Sequence, residues 1–294
     1  MTTNNHSYIR YILIVCFFFS LAILTACKPK PSASQPFPDL KEWDLLIISN
    51  STNWGVGQFY AKLIEADMKV KVNLHDCWHD ALSIGETLKT LQNGGYLSSH
   101  VGDLSCLQPW SELVKEAEVM VLTGNHLDSY PSDGSWNIPN SFNQCYYGGY
   151  EGKNLQPGFE AYKDTMLNTC APETFYTYKA QWEAVLDEID KIREGRPLIL
   201  RMTTEYIPIH SDWLKYGVDA VCTICFGYSP EIIRQVAEAH GVPLADTMLA
   251  LSGKYKLSDP PAEYIGPDGI HPSDAGAQFI ASLLQQTGYE YAGK

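Results

Sequence analysis

The chain has 294 residues, a formal net charge of −13, and a composition that is 45% apolar and 12% aromatic. That is enough apolar material for one large core or two small ones, and it excludes collagen-like, coiled-coil and disordered chains. The acidic balance argues against a nucleic-acid partner, which requires a basic face to neutralise phosphates.

Residues 1–27 read MTTNNHSYIRYILIVCFFFSLAILTAC. Arg10 precedes an apolar run over residues 11–24, short for a membrane span and suited to a signal peptide. The run ends in Leu24-Thr25-Ala26-Cys27, which resembles the lipobox of bacterial lipoproteins. An ordinary secretory signal with an incidental cysteine is the plainer alternative. The resemblance implies cleavage after Ala26, lipidation of Cys27 and a lipid-anchored place on a membrane surface outside the cytoplasm. Residues 28–39, KPKPSASQPFPD, read as a tether. The expected organisation is therefore a signal peptide over 1–26, the lipidated cysteine and tether over 27–40, and one domain over 41–294. No later apolar run is long enough to cross a bilayer.

Short apolar runs then alternate with amphipathic stretches. Residues 45–49 (LLIIS) predict a strand covered on both faces. A helix follows over 57–66, with Phe59, Leu63 and Ile64 on one side, then a strand over 70–74. A helix over 81–91 is stopped by Asn93-Gly94-Gly95. Further strands are predicted over 119–122 (VMVL), 197–202 (PLILRM) and 242–245, and further helices over 174–193, 230–240 and 273–286. This alternation predicts a parallel sheet with helices on both faces, whose ligands bind outside the carboxyl ends of the strands. The stretch 126–172 breaks the pattern. Its length, its aromatic residues (Trp136, Tyr146 and Tyr147 among them) and two cysteines point to an ordered flap, packed on itself or presenting aromatic platforms to sugar rings.

Besides Cys16 and Cys27 there are six cysteines, an even set that suits disulfides in an exported chain. The expected pairs are Cys77 with Cys106 and Cys145 with Cys170. Cys222-Thr-Ile-Cys225 reads as a local disulfide, two buried thiols, a redox pair or half a zinc site, and no second pair with metal spacing accompanies it.

Three segments at strand ends carry reactive groups: Ser49-Asn50-Ser51-Thr52-Asn53-Trp54-Gly55, Thr123-Gly124-Asn125-His126 and Asp268-Gly269-Ile270-His271-Pro272. A serine hydroxyl attacks only when a base takes its proton. His271 suits that role, and Asp268 on the same turn can reach the other ring nitrogen, fix the tautomer and stabilise the imidazolium. The Asn125 amide and the Ser51 backbone N–H are candidate donors to the oxyanion formed on a carbonyl carbon. Taken singly, Ser51 reads as a helix cap and Asn125 as a turn residue; together they satisfy mutually required roles.

These segments resemble the SGNH (GDSL) hydrolases over essentially the whole domain. DGIHPSDAGAQFIASLL matches the family's Asp-x-x-His block, LLIISNSTNWG the nucleophile block with Ser51 at the family serine, and LTGNH the block of the oxyanion-hole asparagine, here Asn125. The resemblance implies a flavodoxin-like three-layer α/β/α domain that hydrolyses esters with no metal or other cofactor. Three departures stand out. Ser49-Asn50 replaces the family's Gly-Asp, and His126 replaces the usual Asp. In NLHDCWHD, Trp78 falls where a glycine normally lends its N–H to the oxyanion hole.

His75, Asp76, His79 and Asp80 invite a metal reading, since two histidines four apart share a helix face, but no further ligand accompanies them and a polar cleft rim is the simpler account. The expected activity is a serine esterase acting on O-acyl esters, an acetylated carbohydrate first and a lipid ester second. The alternatives are a binding lipoprotein on the same fold with a weakened site, or an acyltransferase.

Overall fold

The computed structural model describes residues 36–79, 82–93, 104–125, 172–206, 220–253 and 260–291. The chain divides into a leading unit, Met1–Pro38, and a main unit, Asp39–Lys294, which holds the sheet and its helices. The signal segment, Cys27, the Cys145–Cys170 pairing and the aromatic stretch up to residue 171 lie outside the described residues.

Five parallel strands form one sheet: β1 (Glu42–Asn50), β2 (Lys71–His79), β3 (Val119–Leu122), β4 (Ile199–Thr203) and β5 (Leu244–Ala245). Their spatial order is β2-β1-β3-β4-β5. The helices are α1 (Val56–Met68), α2 (Ile84–Asn93), α3 (Trp110–Glu116), α4 (Pro172–Arg193), α5 (Ala220–His240), α6 (Thr247–Ser252) and α7 (Asp274–Gln286).

Alternate residues of the central strands sort into two layers, as strand geometry requires. Leu46, Ile48, Met120, Leu122 and Met202 join one buried cluster with Leu82, Trp110, Trp182 and Ile233, and so face α2 to α5. Leu45, Ile47, Val119 and Ile199 are equally buried and face the layer of α1 and α7, which pack on one another. Each such aliphatic side chain stabilises the fold by roughly 1.5–3 kcal/mol. The expected three-layer α/β/α fold is the one observed.

A charge inside the buried β4 is tolerated for a local reason. Arg201 is fully buried, and its guanidinium donates to the carbonyls of Leu200, Gly288 and Glu290 at 2.7, 3.0 and 2.9 Å. It therefore ties the segment after α7 to the sheet. Arg193 similarly caps the end of α3, donating to the carbonyls of Val114, Lys115 and Ala117.

Two elements differ from the sequence reading in ways that matter for the site. The second strand runs on to His79, in register with Asn50, instead of ending near residue 74. As an edge strand it is only half buried, so His75 and Asp76 fit it as well as apolar residues would. On a strand His75 and His79 are separated by about 13 Å of rise, so the spacing that suggested a helix face for a shared metal does not exist. Helix α5 begins at Ala220 and runs through Pro230, which the sequence pattern places at its start; Cys222 and Cys225 lie in its first turns, and their side chains are outside the described set.

The expected disulfide between Cys77 and Cys106 is present and buried. It fastens the end of β2 to the turn Leu104–Leu107. In the chain-entropy account, closing a loop across a separation of 29 stabilises by roughly 3.5 kcal/mol.

Candidate active site

The sheet order places a switch point between β1 and β3, where the connections leave in opposite directions and a crevice opens at the carboxyl ends. Ser51 follows β1 directly, opening the 3-10 turn Ser51–Asn53. Asn50 caps that turn: its Oδ1 accepts from the Thr52 N–H at 3.1 Å and the Thr52 hydroxyl at 2.6 Å. An amide oxygen thus makes the bonds a carboxylate would make, holding the turn without a charge. Asn53 is buried beneath it. Its Nδ2 donates to Thr123 Oγ1 at 2.6 Å and Thr203 Oγ1 at 3.0 Å, and the two threonine hydroxyls bond one another. This network stitches the Ser51 turn to the ends of β3 and β4.

Asn125 is buried two residues beyond that network. Its backbone is fixed on both sides, its N–H donating to the Leu82 carbonyl at 3.1 Å and its carbonyl accepting from the Ile84 N–H at 3.0 Å. Gly124 permits this approach, because a Cβ there would lie 3.1 Å from the Ile84 backbone. The Tyr178 hydroxyl closes the Gly124 carbonyl at 2.7 Å.

The third segment builds its acid–base pair locally. Asp268 Oδ2 lies 2.6 Å from His271 Nδ1, while Oδ1 accepts from the Ile270 and His271 N–H groups at 2.9 and 3.0 Å. Partial burial pushes the Asp268 carboxyl up, but the Ile270 N–H, the His271 ring and the His271 N–H outweigh it and hold the carboxyl below the usual range. The carboxylate therefore stays ionised and orients the ring. Ser273 caps α7 just behind, accepting from the Gly276 N–H at 3.1 Å. Gly276 is required there, since a Cβ would collide with the Tyr264 carbonyl.

The structure brings the segments to one end of the sheet. Trp54, whose N–H donates to the Ser51 carbonyl at 3.1 Å, sets its indole edge-on to the His271 ring with centroids 5.5 Å apart. Asn53 joins the same turn to β3, two residues before Asn125. The Ser51 hydroxyl and the His271 ring are not hydrogen-bonded to each other; such contacts commonly tighten only when substrate is bound. Trp78 stands in β2 in register with Ser49, its ring 5.5 Å from that of Trp54. His126 and Asp80 lie outside the described residues. Among the described residues no group of three His, Cys, Asp or Glu side chains could hold a metal ion.

Several residues of the site escape a reading of the sequence. Tyr206 donates its hydroxyl to the Ile270 carbonyl at 2.7 Å, holding the His271 turn against the chain leaving β4. Burial, with the carboxyls of Asp268 and Glu205, raises its titration far above neutrality, so it remains a donor. Glu205 is buried beside it, with Oε1 unpartnered, and burial pushes its carboxyl up to about 8. Asn53 and Trp54 lie within the nucleophile block, but nothing in a strand–turn pattern marks which of its polar residues turn inward.

The fold is the three-layer α/β/α arrangement expected from the sequence, with the Ser51 and Asn125 segments at the carboxyl ends of β1 and β3 and the Asp268–His271 turn just before α7. Among solved structures, the chain is similar to a lipase from a goat rumen metagenome, at 19% identity and a TM-score of 0.54, with 84% of this chain and 98% of that one covered. It is also similar to an extracellular lipase from Streptomyces rimosus (13% identity, TM-score 0.48, covering 83% and 99%). A third is a catalytic mutant of an acetylxylan esterase from Geobacillus stearothermophilus (14% identity, TM-score 0.46, covering 86% and 97%). No family model matches the sequence, and no curated protein does.

Proposed function

We propose that the protein is an exported serine esterase, anchored to a membrane surface through a lipid on Cys27, that cleaves O-acyl esters. One observation carries the reading: a carboxylate-oriented imidazole, Asp268–His271, stands beside the serine turn at the switch point of the sheet. In this reading His271 takes the Ser51 proton as Oγ attacks the acyl carbon, and Asp268 stabilises the imidazolium. The Asn125 amide and the backbone N–H groups of Ser51 and Trp78 meet the charge on the carbonyl oxygen. His271 then returns the proton to the departing alcohol, and water releases the acyl group by the same steps reversed. An O-acetylated carbohydrate is the proposed substrate, and the half-exposed Trp54 beside His271 supports it over a lipid ester.

The direct test is a fluorophosphonate probe, which reacts only with an activated serine. We expect a single adduct on Ser51 in the native protein and none after heat denaturation; a folded protein that stays unlabelled would remove the esterase reading.

The same reading gives Tyr206 a positioning role. Tyr206→Phe keeps the ring and removes one hydrogen bond to the His271 turn. Steady-state kinetics on p-nitrophenyl acetate should show kcat lower by about tenfold with KM unchanged, as for an interaction felt in the transition state. A rise in KM alone would assign Tyr206 to binding instead.

A further inference from the structure

Trp54 is half exposed, at 50% of its surface, in a chain whose other described tryptophans are at least partly buried. A single exposed apolar side chain is ordinary, but two adjacent indoles at the site end of the sheet make a patch that a ligand can use. Trp54 is not a loose side chain. Its backbone is bonded into the Ser51 turn, its ring meets the His271 ring edge-on, and its other neighbour, Trp78, tilts against it at 33°. Trp78 is itself held in β2 beside the buried Cys77–Cys106 bridge. The two indoles therefore form a fixed ledge, half exposed at Trp54 and partly buried at Trp78, touching the His271 ring.

The geometry points to this Trp54–Trp78 ledge as the subsite for the alcohol half of the ester, seating the C–H face of an uncharged sugar ring. The proposal rests on the esterase reading for its sidedness. As an acid, His271 gives its proton to the departing oxygen, so that oxygen comes within hydrogen-bond reach of the ring. The group carrying it must then lie against whatever flanks the imidazole, and Trp54 flanks it. The acyl half points the other way, with its carbonyl oxygen toward Asn125.

The chemical class follows from the openness of the ledge. An acyl chain gains about 0.8 kcal/mol per methylene only when water is removed all round it, and an open shelf leaves one side wet. A sugar ring matches a shelf: one face is apolar, and the rim of hydroxyls stays in water. The exposed, ionised Asp268 beside His271 and the net charge of −13 repel an anionic sugar or phospholipid head group. Because both indoles are already fixed, little ordering is required when the ring docks.

The test separates binding from chemistry. Ser51→Ala leaves an ester intact, so a mono-O-acetylated xylotriose can be titrated into it by calorimetry. We expect saturable binding that weakens by at least about tenfold in Ser51→Ala/Trp54→Ala and is largely retained in Ser51→Ala/Trp54→Phe, where a flat ring remains. Dibutyroyl phosphatidylcholine, the lipid-ester control, should show no dependence on Trp54. Equal sugar affinity with and without Trp54, no sugar binding at all, or a lipid ester that loses as much as the sugar would each overturn the ledge. Fluorophosphonate labelling with Trp54-independent sugar binding would leave the esterase and remove the ledge. Trp54-dependent sugar binding without labelling would keep the ledge as a saccharide site and remove the hydrolysis.

Discussion

On the proposed esterase reading, Ser51→Ala and His271→Ala are each expected to lower kcat for p-nitrophenyl acetate by roughly 10⁴- to 10⁶-fold, because a nucleophile and its base act as one unit and either loss disables both. The double variant should be little worse than either single one. Asp268→Asn is the more informative substitution. The introduced amide can still accept the Ile270 and His271 N–H bonds at the Oδ1 position, so the turn keeps its shape. At the Oδ2 position, however, an N–H group would face His271 Nδ1, which in the native protein lies 2.6 Å from a carboxylate oxygen. Two donors cannot share that contact, so the ring would flip its tautomer and carry its proton on Nε2, where it cannot accept one from serine. A loss of about 10⁴ in kcat with little change in KM is the expected result. In the wild type, Asp268 is held below the ordinary carboxylate range, so it is ionised throughout the interval in which an imidazole titrates.

What is legible in the sequence divides along the range of the interactions involved. Strand β3 is found as read, over Val119–Leu122, because four consecutive apolar residues are buried on both faces and nothing distant alters that. The Asp268–His271 pair is legible for the same reason: three residues on one turn suffice to build it. The sequence reading starts helix α2 too early, although a start signal is present. Ser83 and Glu86 form a capping box, Glu86 Oε2 accepting from the Ser83 N–H at 3.1 Å while Ser83 Oγ accepts from the Glu86 N–H at 3.1 Å. For α5 the reading fails differently. Proline is common at the first helical position, and Pro230 suggests such a start, whereas the helix begins ten residues earlier and accommodates the proline inside. Residues that position the site are illegible because their partners are remote. Asn53 bonds across 70 and 150 positions, and Tyr206 across 64. Local pattern carries no trace of such pairings, which arise only once parallel strands bring their carboxyl ends together.

Glu205→Gln is expected to stabilise the protein in alkaline solution and to have little effect in acid. Glu205 follows β4, is 6% exposed, and leaves Oε1 without a partner. Burial raises its carboxyl from the ordinary 4.5 to about 8. Between those values the folded chain holds a proton there and the unfolded chain has released it, so folding takes up a proton and stability falls as pH rises through that interval. Below about pH 4.5 both states are protonated, and above about pH 8 both are ionised, so the slope vanishes on either side. The full loss is on the order of 5 kcal/mol, which for a domain of this size corresponds to roughly 10–20 °C in melting temperature. Glutamine has nearly the same volume and no charge to desolvate, so calorimetry at pH 5 and pH 8 should show the variant's advantage growing from near zero to most of that range. An advantage equal at both pH values would mean that Glu205 is not the group being desolvated. A buried carboxyl that weakens the fold as pH rises toward neutrality and leaves Oε1 without a hydrogen bond, at the strand end where Thr203 braces the serine turn and Tyr206 the histidine turn, breaks the rule that buried polar groups are hydrogen-bonded. Such departures concentrate where a chain trades stability for a working site, and parallel kinetics on Glu205→Gln would measure what that trade yields here.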